Sequence, residues 1–173
     1  MRAVLIGLAL AFIALPVSAQ TRDENWTHCT GAGVDADTRI GGCTVLIQSG
    51  REISANLAFE YYDRGSAHAQ KNLYDEAIAD YTQAIAHSPD LYEAYRNRGD
   101  IYGVKHLYSL AIADFTKVIA LRPDDADAHC SRGLAYEANG SNSQAIADYR
   151  TALKLQPKMK DAEDGLQRLG ATQ

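Results

Sequence analysis

From Ala58 to Met159 the apolar and small positions recur every 34 residues without an insertion. Ala58 to Leu91, Tyr92 to Asp125 and Ala126 to Met159 share one register. Arg64-Gly65 returns as Arg98-Gly99 and Arg132-Gly133, and Ala77-Ile78-Ala79-Asp80 returns at 111–114 and 145–148. An aromatic ring follows each time (Tyr81, Phe115, Tyr149), and each unit ends on a proline (Pro89, Pro123, Pro157). Tyr61, Gly65, Ala67 and His68 are spaced for one helix face, and Ala77, Ile78, Tyr81, Ala84 and Ile85 for another. Gly65 and Ala77 are small where two helices must cross closely. The proline, which has no N–H and turns the residue before it out of the α region, ends the second helix. A period of this length predicts helix-turn-helix units stacked side by side.

The pattern places helices near 38–49, 55–70, 74–87, 92–104, 108–121, 126–139, 142–155 and 160–169. No strand is evident. Asp37 reads as the N-cap of the first, which carries Ile40, Cys43, Val45, Leu46 and Ile47 and stops near Ser49-Gly50. Gln20 to Gln48 ahead of the repeats is different in kind, with Trp26, the loop Thr30-Gly31-Ala32-Gly33, and Cys29 and Cys43. At the other end, Ala162, Gly165, Leu166 and Leu169 keep helical spacing over Lys160 to Leu169.

At these residues the chain resembles a tetratricopeptide repeat protein. The family signature of aromatic, Gly, aromatic, Ala, aromatic, Ala and Pro stands as Tyr61, Gly65, His68, Ala77, Tyr81, Ala84 and Pro89 in the first copy. The second gives Tyr95, Gly99, Tyr102, Ala111, Phe115, Val118 and Pro123; the third gives His129, Gly133, Tyr136, Ala145, Tyr149, Ala152 and Pro157. His68, His129 and Val118 depart from the signature. The resemblance implies an all-α solenoid of three units (58–91, 92–125, 126–159). Residues 20–57 form an N-terminal cap and 160–173 a C-terminal capping helix and tail, each covering an open end of the stack. A Cys-containing entry running into such repeats is similar to small exported tetratricopeptide proteins of alphaproteobacteria.

Met1-Arg2, the apolar run Val4 to Val17 and the small residues Val17-Ser18-Ala19 read as a secretory leader over residues 1–19. The run is too short for a membrane span of about 20 residues, so no anchor is expected after cleavage. With the Ala-rich composition, this leads us to expect a bacterial envelope protein in the periplasm. In such an oxidising compartment Cys29 and Cys43 are the expected disulfide, tying an irregular N-terminal strap to the first helix. Without the leader, 16 basic residues face 22 acidic ones, which argues against nucleic acid and anionic membrane as partners.

Candidate chemistry changes this picture little. Arg64 with Asp80, Arg98 with Asp114 and Arg132 with Asp148 recur in every unit, so they serve packing, as ion pairs of modest energy. His28, His68, His87, His106 and His129 lack ligand spacing, and neither metal nor cofactor is expected. No nucleophile elbow or Gly-rich loop after a strand is present, and the chain is expected not to be an enzyme. Cys130 is the odd thiol.

What remains is a surface. The first helices of such units line a concave groove, and positions there that vary between copies are free for recognition. These are Phe59, Tyr62, Asp63, Ser66 and Gln70; Glu93, Arg96, Asn97 and Asp100; and Asp127, Cys130, Ser131 and Leu134. The mixture suits an extended peptide or a partner helix. Some tetratricopeptide domains grip a chaperone's terminal carboxylate with two Lys, two Asn and an Arg. Only Asn97 matches that set; Tyr62, Ser66, Asp127 and Ser131 replace the rest. The expected function is therefore non-catalytic protein binding in the envelope by an adaptor, scaffold or assembly factor. The alternatives are a thiol-dependent role for Cys130 in envelope protein maturation and a self-assembling structural subunit.

Overall fold

The computed structural model describes residues 21–50 and 52–171, and the expected leader lies outside them. The described residues form nine α-helices and no strand: α1 (Arg22–Thr30), α2 (Ala36–Ser49), α3 (Ser54–Gln70), α4 (Tyr74–His87), α5 (Tyr92–Val104), α6 (Tyr108–Leu121), α7 (Ala126–Ala138), α8 (Asn142–Leu155) and α9 (Lys160–Arg168). Each helix packs on its neighbours in sequence, and α3, α5 and α7 also touch one another in order. That places the three first helices of the units side by side.

The turn inside each unit is set at one repeat position. Asn72, His106 and Gly140 occupy it with φ of 58°, 58° and 77°. This left-handed residue lets the next N–H fold back onto the ending helix: Leu73 to the His68 carbonyl (2.9 Å), Leu107 to Tyr102 (2.8 Å) and Ser141 to Tyr136 (2.8 Å). Carbonyls that the helix end would leave unpaired are thereby satisfied.

The crossings carry the core. Ala77, Ala111 and Ala145 are fully buried, with Tyr81, Phe115 and Tyr149 beside them. A methyl group placed on Gly133 would lie 2.8 Å from the Tyr149 ring, and one on Gly165 of α9 would lie 2.5 Å from the same ring. Tyr149 is thus clamped between two glycine backbones, which is how α9 closes the stack: Ala162, Gly165 and Leu166 are buried while Lys160, Asp161 and Glu163 face outward.

The ion pairs do more than the sequence indicates. Arg64 donates to both Asp80 oxygens (2.9 and 2.7 Å), Arg98 to both of Asp114 (2.8 Å each) and Arg132 to both of Asp148 (2.7 and 2.8 Å). The third arm of each guanidinium reaches back to a threonine hydroxyl of the preceding helix pair: Thr44 (3.2 Å), Thr82 (2.8 Å) and Thr116 (3.1 Å). The aspartates are buried, so these are shielded bidentate pairs that join unit to unit. Removing one partner of such a pair costs about 3–5 kcal/mol, well above the surface value. His68 and His129 contact Asp80 (2.9 Å) and Asp148 (3.3 Å) through Nδ1, so they are polar members of the same network and not only rings filling aromatic places.

The N-terminal strap is corrected to a helix. Thr21 accepts from the Glu24 N–H while Glu24 accepts from the Thr21 N–H, a reciprocal capping box that starts α1. The N-cap of α2 is Asp35, which accepts from Thr38; Asp37 lies one residue inside the helix and pairs with Lys71. Gly42 lets α2 approach α1, since a methyl group there would meet the Asn25 carbonyl at 2.8 Å. The Cys29–Cys43 disulfide joins the two helices at a point where both residues are fully buried. Arg39 closes the end of α1 by donating to the Cys29 and Gly31 carbonyls (2.8 and 2.9 Å). The cap is therefore a further helix pair, and Thr44 on α2 stands in for the threonines that the later units offer to the next arginine.

Candidate functional site

The inner surfaces of α3, α5 and α7 carry the candidate groove residues, and the structure divides them by what already holds them. Four are occupied internally. Tyr62 tilts against Tyr81 with ring centres 5.8 Å apart. Asn97 donates to both tyrosine hydroxyls at 3.3 Å, the Tyr81 hydroxyl donates to Ser66 (3.2 Å), and Ser66 donates to the Tyr62 carbonyl (2.9 Å). This network ties α3, α4 and α5 together. Its cost is that Asn97, the one residue matching the carboxylate-gripping set, has its amide nitrogen committed within the fold. Arg96 pairs with Asp125, the N-cap of α7, and lies over the Tyr92 ring, so it too bridges units.

Cys130 lies in the wall of the groove between α7 and α9 and offers it little surface. It is 5% exposed and sits in the cluster of Tyr149, Met159, Ala162 and Leu166 beneath α9. Burial, with Asp161 and Asp127 nearby, pushes its thiol up to about 11. A thiol held protonated at neutral pH lacks the thiolate that nucleophilic chemistry needs. Sequence spacing puts it on the inner face, but could not show how little of it stays exposed beside α9.

The remaining candidates are open. Phe59 and Leu134 are 52% and 42% exposed, and Gln70, Asp100 and Asp127 are exposed as well. Asp63, Glu93 and Ser131 are half-buried. Between α5, α6 and α7 lies a depression of about 330 Å³ floored by Gly99, Gly103, Phe115 and Ala135, with Asp100 and Leu134 at its edge. A second, of about 390 Å³, continues between α7 and α9 and shares Ser131 and Leu134 with the first. Sequence reasoning missed Gly103, Val104 and Tyr108, whose contribution depends on how the turn after α5 folds over the groove. Desolvation pushes the Asp100 carboxyl up to about 6 against the pull of Arg96, and burial raises that of Asp63 against Arg39. No group of His, Cys, Asp and Glu able to hold a metal is found among the described residues.

With this geometry in place, comparison with known proteins is specific. Family models match described as TPR repeat over residues 65–104 and 108–140, and as tetratricopeptide repeat over residues 126–159. Comparison with curated protein sequences gives no match. Among solved structures, the Arabidopsis OM64 TPR domain is 26% identical, with a TM-score of 0.65 over 68% of this chain and 98% of that one. The first TPR of Spaghetti (RPAP3), bound to the HSP90 peptide SRMEEVD, is 26% identical with a TM-score of 0.65, covering 70% of this chain and 96% of that one. The second TPR domain of human RPAP3, in complex with the HSP70 peptide SGPTIEEVD, is 28% identical with a TM-score of 0.65, covering 69% and 100%.

Proposed function

Because this chain is a tetratricopeptide repeat protein, we propose that it is a non-catalytic adaptor or assembly factor of the bacterial envelope, binding a segment of a partner protein along the inner faces of α3, α5 and α7. The observation that carries this is the pair of linked depressions on that face, edged by the exposed Leu134 and by Asp100 and Asp127, which make no hydrogen bond or salt bridge among the described residues. Peptide binding by structurally similar domains supports the same use of the surface. The helices are already packed and capped, so binding orders mainly the partner, and little affinity is lost to rearrangement of the groove. The envelope location rests on the leader and on a cap built around a buried disulfide.

Affinity capture from envelope extract tests this. The bait is the chain from Gln20 onward, beside a variant carrying Phe59→Glu and Leu134→Glu. Both positions are exposed, so the variant keeps its fold, whereas Tyr62 and Arg96 are poor choices because they hold units together. The expected result is one protein enriched by the native chain and lost with the variant. Identical captures from both would place binding elsewhere.

A further inference from the structure

The inner face lacks one kind of group. Asp63, Glu93, Asp100 and Asp127 project from α3, α5 and α7, and none makes a hydrogen bond or ion pair among the described residues. The nearby arginines bond elsewhere, Arg96 to Asp125 and Arg39 to the Cys29 and Gly31 carbonyls, and reach Asp100 and Asp63 only through space. Lys158 and Lys160 line the second depression with Asp127, where Lys160 pairs with Asp164 and Lys158 is the one lysine there without a hydrogen bond or ion pair among the described residues. The acidic side chains do not stand on a flat polar surface. Asp100 overhangs the apolar depression of about 330 Å³, beside Val104 and Leu134, which are 58% and 42% exposed. An apolar hollow edged by carboxylates that no side chain bonds calls for an occupant with both an aliphatic and a cationic part.

From this the geometry points to a basic occupant: we infer that the groove takes a Lys- or Arg-containing segment of a partner protein, its cationic side chains against Asp100, Asp127, Glu93 and Asp63 and an aliphatic side chain between α5 and α7. The inference rests on the proposed use of this face and adds the partner's chemistry. It separates this chain from the domains it resembles, whose bound peptides, SRMEEVD and SGPTIEEVD, are acidic at the end. Such a sequence would meet like charges here, and like charges facing each other across an interface exclude a partner. A second copy of the chain is a poor occupant for the same reason, since its net charge is -5. Desolvation of Asp100 and Asp63 agrees with the inference, because a cation bound beside them offsets its cost.

A displayed library of random dodecapeptides, selected on the chain from Gln20 onward, tests this directly. The comparison chain carries Asp100→Lys and Asp127→Lys, exposed positions that make no hydrogen bond or salt bridge among the described residues, with Arg96 the nearest charge to position 100. Thermal unfolding by circular dichroism confirms that it folds. The native chain is expected to enrich peptides rich in Lys and Arg, and a selected peptide should lose about tenfold in affinity between 50 and 500 mM salt. The reversed chain should lose those peptides and enrich acidic ones. Acidic or neutral peptides on the native chain, lost when Leu134→Glu is introduced, would overturn the basic preference and leave the groove as the binding surface. Peptides held equally by all variants, or none enriched at all, would overturn both.

Discussion

Glu60 breaks the pattern of its own repeat. The corresponding residues in the later units are Ala94 and Ala128, both buried at the contact with the preceding helix pair. Glu60 is equally buried, but neither carboxylate oxygen has a hydrogen-bond partner. Desolvation pushes it up to about 7; the charge of Glu52 pushes the same way and Arg22 opposes. Glu52 itself stays ionised, held low by hydrogen bonds from Arg22 and Asn56. A carboxyl raised in the folded state binds its proton more tightly than in the unfolded chain. Its contribution is therefore full below pH 4.5 and is lost as pH rises towards about 7. We expect Glu60→Gln to leave stability at pH 4 nearly unchanged and to raise it at pH 8 by about 3 kcal/mol or somewhat less. Urea unfolding at the two pH values measures this, and an equal effect at both would mean that the charge of Glu60 is not the cause. The repeat register marks Glu60 as a departure from alanine, but a glutamate on a helix is ordinarily solvated, so the sequence does not show that it is dry.

The same limit appears at the scale of elements. Helices α2 to α9 were legible within about two residues, since apolar spacing, prolines and small crossing residues all agree. Helix α1 was not, because its sequence, Arg22–Thr30, is polar nearly throughout and only Asn25 and Cys29 are buried. The available signal was local: Thr21 three residues before Glu24, and a Gly-Gly pair at 41 and 42 in the facing helix. Its stability depends on the disulfide, which closes a loop between residues 14 apart in sequence. Reduction should remove about 3 kcal/mol of stabilisation in the chain-entropy model. Both sulfurs are buried, so reduction requires the cap to open. Melting with and without a reductant should show a lower transition for the reduced chain and, by hydrogen exchange, lost protection over α1 and α2 first. An unchanged transition would mean that Gly42, Arg39 and the Arg22–Glu52 pair hold the cap without the bridge.

Over the whole molecule, the repeats set a rigid order in which every unit is fastened to the one before it by a guanidinium reaching back to a threonine. Further contacts between helices occupy four of the polar groups that sequence alone offers as a binding site. Tyr62, Ser66, Asn97 and Arg96 vary between copies because each junction is solved differently, and that variation looks identical to recognition until partners are seen. The groove's exposed apolar edge and its acidic rim are what remain for another molecule. Site-specific photo-crosslinking tests this most directly: a photoreactive amino acid replaces Leu134 on the inner face in one chain and the exposed Lys117 on α6 in another. Binding along α3, α5 and α7 predicts an adduct from position 134 and none from position 117. An adduct from 117 alone, or equal adducts from both, would contradict it.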